Sequence, residues 1–241
     1  MKIARAETQD GVVRGEYEGD DDYNGTVSVN GETYDVSPSN ILAPCEPDAL
    51  YCVGRNYVAK IDQMEYDVPD VPDFFIKPPT SVLAPGKPIP YPDFTDELTY
   101  AGELGIVIGE ECKHVSEDGA SDVIEGYTVM NDVDALDQER RTARKAFDGS
   151  APLGPWVETE VDPTSIEIET TINGETRQEA NTEQMLFDVY EITAFMSRRF
   201  TLQRGDVIAC GSPANPGTIE PGDEIEITYE GIGTLRNTVG S

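Results

Sequence analysis

The chain has 241 residues, enough for one large domain or for a domain with a small appendage, and 38% of them are hydrophobic, so a core can form. Asp and Glu number 47 against 17 Lys and Arg, a formal net charge of −30 that speaks against a nucleic-acid partner, whose phosphates need a basic face. The acids are scattered (EYEGDDDYNG, EDGASD, TEVDPTS) rather than gathered in a tail, the pattern of a surface solvated in concentrated salt, where self-repulsion is screened.

From the start of the chain, KIARAE, GVVRGEYEG and GTVSVNGETYDV alternate apolar and polar residues, and Asn30-Gly31 is a tight-hairpin pair. They predict a small antiparallel lobe over residues 1–45, with the proline-marked SPSNILAPCEPD leading into a main domain over 46–241. The main domain is again mostly strand-like: LYCVGRNY, DFFIKP, LGIVIG, EGYTVMNDV, IEIETTING and EIEITYEGIG. Helical spacing is confined to RNYVAKIDQMEY and TEQMLFDVYEITAFMSRRF, the second with Met185, Leu186, Val189, Ile192 and Phe195 on its apolar side and a basic end suited to its dipole. The expected class is mainly β with a few helices. Cys45, Cys52, Cys112 and Cys210 form no C-x-x-C pair and sit among apolar neighbours, as reduced buried thiols do. With neither a leader-like start nor a long apolar run, the expectation is a cytoplasmic protein with no membrane partner.

His114 follows a strand in a polar stretch, and without a nucleophile elbow it reads as a surface residue, which argues against a Ser-His-Asp hydrolase. Glu103, at the edge of the apolar run LGIVIG, and Asp132, closing GYTVMNDVD, offer two carboxylates at strand ends. Such a pair could hold a hard cation through oxygen, or be edge acids neutralised by a neighbouring Lys or Arg.

Several segments in order, CVGRNYVAKIDQM, FFIKPPTSVLAPGKPIPYP, LTYAGELGIVIGE, GYTVMNDVDALDQ, KAFDGSAPLGPW and LQRGDVIACGSP, resemble the fumarylacetoacetate hydrolase family over roughly residues 50–239. The resemblance implies a β-rich mixed roll around a central pocket, a homodimer, and a divalent cation, usually magnesium. It also implies chemistry on 2-oxo acids and β-dicarbonyl compounds: hydrolysis, decarboxylation, hydration or isomerisation. Matched to the family motifs, Glu103 and Asp132 fall on metal ligands, but Ala101 stands where another glutamate is expected. Lys60 and Gln63 replace a histidine–glutamate pair, Leu136 replaces an arginine, and Glu139 a glutamine. Lys77 and Lys145 match family lysines, and Cys210-Gly211-Ser212-Pro213 keeps the form of a T-G-T-P loop, with Ser212 supplying the hydroxyl.

The site expected from this resemblance assigns Lys145 and Lys60 to catalysis, Lys77, Gly211, Ser212, Arg55 and Glu139 to the substrate, and Glu103 and Asp132 to a metal. A histidine near its free pKa of about 6.5 accepts a proton at neutral pH, whereas a lysine near 10.4 does so only if its surroundings lower it by about three units. Three acids (Glu103, Asp132, Glu139) against three lysines (Lys60, Lys77, Lys145) can balance without a dication, so magnesium is expected to bind weakly or not at all. Three readings follow: an enzyme acting on a small 2-oxo acid or β-dicarbonyl compound through its enolate, a binder of carboxylate metabolites without turnover, and a dimeric scaffold.

Overall fold

The computed structural model describes all 241 residues, Met1–Ser241. Strands dominate, as the alternating runs predict. The largest sheet runs in the order Glu32–Val36, Gly25–Val29, Gly11–Gly19, Lys2–Thr8, Ala151–Glu158, Ile124–Asn131, Gly102–Ile108, Val207–Ala209, Leu50–Gly54 and Asp73–Lys77. Neighbours along it are antiparallel except Val207–Ala209 against Leu50–Gly54. Gly102–Ile108 and Ala151–Glu158 are buried along their whole length, which explains their near-continuous apolar reading: both faces of each strand are covered. A four-stranded sheet (Glu175–Asn181, Glu167–Ile172, Glu224–Tyr229, Gly233–Thr238) alternates buried and exposed residues over much of its length, as a sheet with one wet face does.

The N-terminal strands form an antiparallel meander, turned at Asn30 (φ 53°) and Gly31 (φ 85°), the left-handed pair that the Asn-Gly dipeptide supplies. Through Lys2–Thr8 this meander is hydrogen-bonded to Ala151–Glu158, and its apolar residues pack on Trp156, with Tyr17 stacked on the indole at 4.9 Å.

The two helical patterns have different outcomes. The second becomes Val189–Arg199, started by a reciprocal Asp188–Glu191 capping box, with Arg198 and Arg199 in its last turn. The first yields only Val58–Gln63: Tyr57 gives no side-chain cap, and Glu65 already has φ 53°. All four cysteines are free and buried, and His114 is exposed. No helix is long and apolar enough to cross a membrane.

Candidate active site

Glu103 and Asp132 come together because of strand register. Gly102 pairs with Asn131 and Glu103 with Met130, and just beyond the strand the Asp132 amide donates to Ala101 O at 2.9 Å. Residues two apart on an extended chain share a face, so Met130 and Asp132 lie on the side where Glu103 projects. The adjacent strand Val207–Ala209 then delivers Cys210-Gly211-Ser212 across the same end, and the Gly211 amide donates to Glu103 Oε2 at 3.0 Å. Gly211 has φ 89°, and a Cβ there would come 3.0 Å from the Asn56 Cβ, so glycine is what lets the loop approach.

Asn56 ties this corner together. Its Nδ2 donates to Cys210 O (2.8 Å) and Phe187 O (3.0 Å), while its Oδ1 accepts from the Phe187 amide. The helix Val58–Gln63 thereby starts beside the Gly211 loop. Lys60 Nζ donates to Ser212 Oγ, and one turn later the Gln63 amide exchanges hydrogen bonds with Asn215 (3.1 and 2.8 Å).

These elements enclose a cavity of about 400 Å³. Arg55, Lys60, Glu103, Asp132, Glu139, Lys145 and Ser212 all line it, so seven of the nine residues expected from the sequence meet there. Gly211 contributes through its amide. Lys77, expected to contact substrate, does not line the cavity: it is fully buried beneath Asp132. Its Nζ donates to Val133 O (2.9 Å), Lys145 O (2.7 Å), Ser150 O (2.8 Å) and Ser150 Oγ (3.1 Å). It also lies 2.9 Å from Asp132 Oδ1, off the hydrogen-bond direction, so that oxygen is compensated in charge but accepts no hydrogen bond.

Lys145 Nζ bridges Asp132 Oδ2 at 2.5 Å and Asp134 Oδ2 at 3.1 Å. Although burial opposes its charge, the two carboxylates raise its pKa above the usual lysine value. Lys60 goes the other way, lowered first by burial and then by the Lys145 charge, against the pull of Glu103. The Glu103 carboxyl is pushed up to about 8 by burial and by Asp132, with Lys145, Lys60 and the Gly211 amide opposing. Asp132 stays below the ordinary carboxylate range: burial pushes it up, but Lys145 and Lys77 outweigh that.

Arg141, Arg144 and Asp134 were missed from sequence. The short helix Arg141–Lys145 directs Arg141, Arg144 and Lys145 inward at positions i, i+3 and i+4. Arg144 clasps Asp134 with two bonds (2.8 and 2.5 Å), and Arg141 clasps Asp73 (both 2.9 Å). That spacing in ERRTARKAF was the available signal. With them, the lining counts four carboxylates against five cations, inside a chain whose net charge is −30. Four of the five cations are paired with a carboxylate, Asp73 included, and Lys60 is the one bonded to a hydroxyl instead, so an anion meets its least compensated partner there.

The residues present do not fit a tightly held divalent cation. No three His, Cys, Asp or Glu side chains converge. Position 101 offers the cavity only a methyl group, and both Asp132 oxygens already face lysine ammonium groups.

The sequence profile of the fumarylacetoacetate (FAA) hydrolase C-terminal domain matches residues 49–240. The chain is 33% identical over 226 residues to an oxaloacetate tautomerase of Bacillus subtilis, covering 86% of this chain and 75% of that protein. Its structure is similar to that of a 5-carboxymethyl-2-hydroxymuconate delta-isomerase from Mycobacterium smegmatis, with a TM-score of 0.90, 39% identity, and 100% and 98% of the two chains covered. It also resembles a fumarylpyruvate hydrolase from Pseudomonas aeruginosa in complex with Mn2+ and pyruvate, with a TM-score of 0.77, 29% identity, and 90% and 96% covered. A profile match over most of the chain and relatives above 30% identity agree with the cavity built at the strand ends: the chain belongs to the fumarylacetoacetate hydrolase family.

Proposed function

We propose that the chain binds a small 2-oxo carboxylate in this cavity and interconverts its keto and enol forms. The observation that carries this reading is the placement of two lysines from different elements on one cavity, Lys145 pinned by two aspartates and Lys60 bonded only to a hydroxyl. Lys145 keeps its proton and stabilises negative charge as it develops on the 2-oxo oxygen. Lys60 meets the ligand as an ammonium, gives a proton to that oxygen and, then neutral, takes one from the adjacent carbon, which completes the enol and restores its charge. The step is an isomerisation, so atoms and electrons balance without a co-reactant. Hydrolysis or decarboxylation of a longer β-dicarbonyl compound would pass through the same stabilised enolate. Arg141 and Arg144, each clasped by an aspartate, frame the cavity beside these lysines.

A second reading, a carboxylate binder without turnover, is favoured by Gln63, an uncharged amide engaged at both ends by Asn215, so that this position offers Lys60 no charged partner. The test is to follow oxaloacetate enol absorbance with the wild type, Lys60→Met and Lys145→Met. The enzyme reading expects the wild type to speed equilibration well beyond buffer and each variant to lose at least about tenfold of that rate. Saturable oxaloacetate binding with no acceleration supports the binder, and neither binding nor acceleration rejects both readings.

A further inference from the structure

We infer that the positive charge facing the 2-oxo carboxylate is supplied by the ammonium groups of Lys60 and Lys145, so that this chain takes its ligand without a divalent metal. The inference deepens the proposed function and rests on it for the nature of the ligand. Asp132 is held from both sides, Oδ2 at 2.5 Å from Lys145 Nζ and Oδ1 at 2.9 Å from Lys77 Nζ. A dication approaching it would have to displace or repel Lys145, which Asp134 also holds at 3.1 Å. Glu103 has one oxygen committed to the Gly211 amide and shares its cavity with Lys60.

The carboxylate that would face the cation from position 101 is missing because the residue there is alanine. Ala101 sits on the cavity wall with its amide donating to Asn131 Oδ1 at 2.9 Å, and its side chain ends at the methyl carbon. Magnesium can work with two carboxylates and several waters, but not readily when each carboxylate shares its cavity or its oxygens with a lysine. The same lysines have what the metal would contribute. Each is a positive group at the cavity surface, and Lys60 is held on the ligand side by Ser212 rather than by an acid that would cancel it. An ammonium also has three donors to share between a carboxylate and a neighbouring keto oxygen. Lys77 is excluded from this role, since its donors are spent on buried carbonyls.

The experiment is calorimetric titration of the full chain with pyruvate in concentrated KCl, once with EDTA and once with millimolar MnCl2. It is paired with direct titration of Mn2+ into the ligand-free protein, read by electron paramagnetic resonance. Pyruvate affinity equal within about twofold in the two buffers, with no Mn2+ sequestered below the millimolar range, is the expected result. Lys60→Met should weaken pyruvate by about tenfold or more, and Mn2+ should not restore it. Ala101→Glu combined with Lys60→His should tighten Mn2+ by at least about tenfold, because an anionic ligand is added and a competing cation removed. Micromolar Mn2+ binding by the unmodified chain, or pyruvate binding abolished by EDTA and recovered with Mn2+, would overturn the inference. Failure of pyruvate to bind in either buffer sinks the 2-oxo acid reading instead, and the Mn2+ titration then judges the metal question by itself.

Discussion

The floor of the cavity and the helix across its mouth both carry a lysine toward the ligand, but under opposite physical conditions. On the floor, Lys77, Asp132 and Lys145 are buried between strand ends, and every Lys77 donor has a partner. Across the mouth, Lys60 and Gln63 ride on the six-residue helix Val58–Gln63, which has no side-chain cap and no acid in its first turn. A helix that short is marginal without tertiary contacts. Its holds on the opposite loop are the Lys60–Ser212 bond and the Gln63–Asn215 pair, and Val58 and Met64 beside them are exposed. The difference teaches that one site can separate its tasks. The floor fixes geometry through buried charge that cannot be released, while the mouth is held in part by the exposed Gln63–Asn215 contacts, which water can replace.

The sharpest way to break this comparison is to remove one lysine from each part. Lys77→Met leaves Asp132 with one ammonium partner and three buried carbonyls without their donor. The loss should be about 3–5 kcal/mol, the usual cost of breaking a buried ion pair from one side. For a chain of this size that is a fall in melting temperature of roughly 10 °C. Lys60→Met, at the mouth, should cost no more than about 1 kcal/mol, since it removes one hydrogen bond to a hydroxyl. Chemical denaturation of both variants decides the matter, and equal losses would mean that floor and mouth are one cooperative unit.

Glu103 lies between the two parts and gives the next effect. Its folded pKa of about 8 lies above the ordinary value of 4.5. A raised carboxyl stabilises the fold most where it is protonated in the native state. That contribution is complete below about pH 4.5 and disappears as pH rises through 8. Glu103→Gln keeps an acceptor for the Gly211 amide but cannot ionise. The variant should therefore gain on the wild type between about pH 4.5 and pH 8 and level off above, by on the order of a few kcal/mol at the upper end. A constant gap across that range would show that the Glu103 carboxyl titrates at an ordinary value.

Salt separates the buried floor from the outer surface. The scattered acids that make up the net charge of −30 repel one another through solvent, where ions screen them, while the floor pairs are shielded from ions by burial. Raising KCl from about 0.1 M to about 2 M should lift the melting temperature of the wild type by several degrees and leave the Lys77→Met penalty nearly constant. A melting temperature indifferent to salt would remove the argument that the acidic surface is adapted to it.

How far the site was legible follows from the same division. Residues fixed by strand ends and by motif, namely Glu103, Asp132, Lys145 and Ser212, could be placed because register and loop form carry over with sequence. The Asn30-Gly31 turn and the Val189–Arg199 helix were legible because a left-handed pair and an apolar spacing leave direct traces. Lys77 was expected in the cavity because it matches a lysine of the family motif, but side-chain direction at the last residue of a strand depends on what covers the strand end, here Val133, Lys145 and Ser150. Arg141 and Arg144 escaped because a five-residue helix repeats its i, i+3, i+4 spacing only once, too little to stand out as a period. Asp134 escaped because its role as partner to Lys145 and Arg144 exists only after that helix has formed.

The smallest expected effect is also the one that tests the mouth alone. Gln63→Ala removes both bonds to Asn215 and nothing else in the site. These bonds are exposed, so water takes their place and global stability should change by only about 0.5 kcal/mol. Across the cavity the helix then keeps only the Lys60–Ser212 bond, with Ile61 and the Asn56 corner still holding its inner side, and with fewer contacts it opens more often. Hydrogen exchange should therefore quicken several-fold at the amides of residues 60–64 while those of the strand Gly102–Ile108 stay protected, because local opening exposes only what the lost contacts held. Pyruvate should both enter and leave faster in this variant, with its affinity altered by less than about threefold, since the change acts on access and leaves Lys145 untouched. If exchange at Gly102–Ile108 rises together with that of the helix, the two bonds to Asn215 are part of the floor, and the division of the site into a fixed base and an exchangeable cover is wrong.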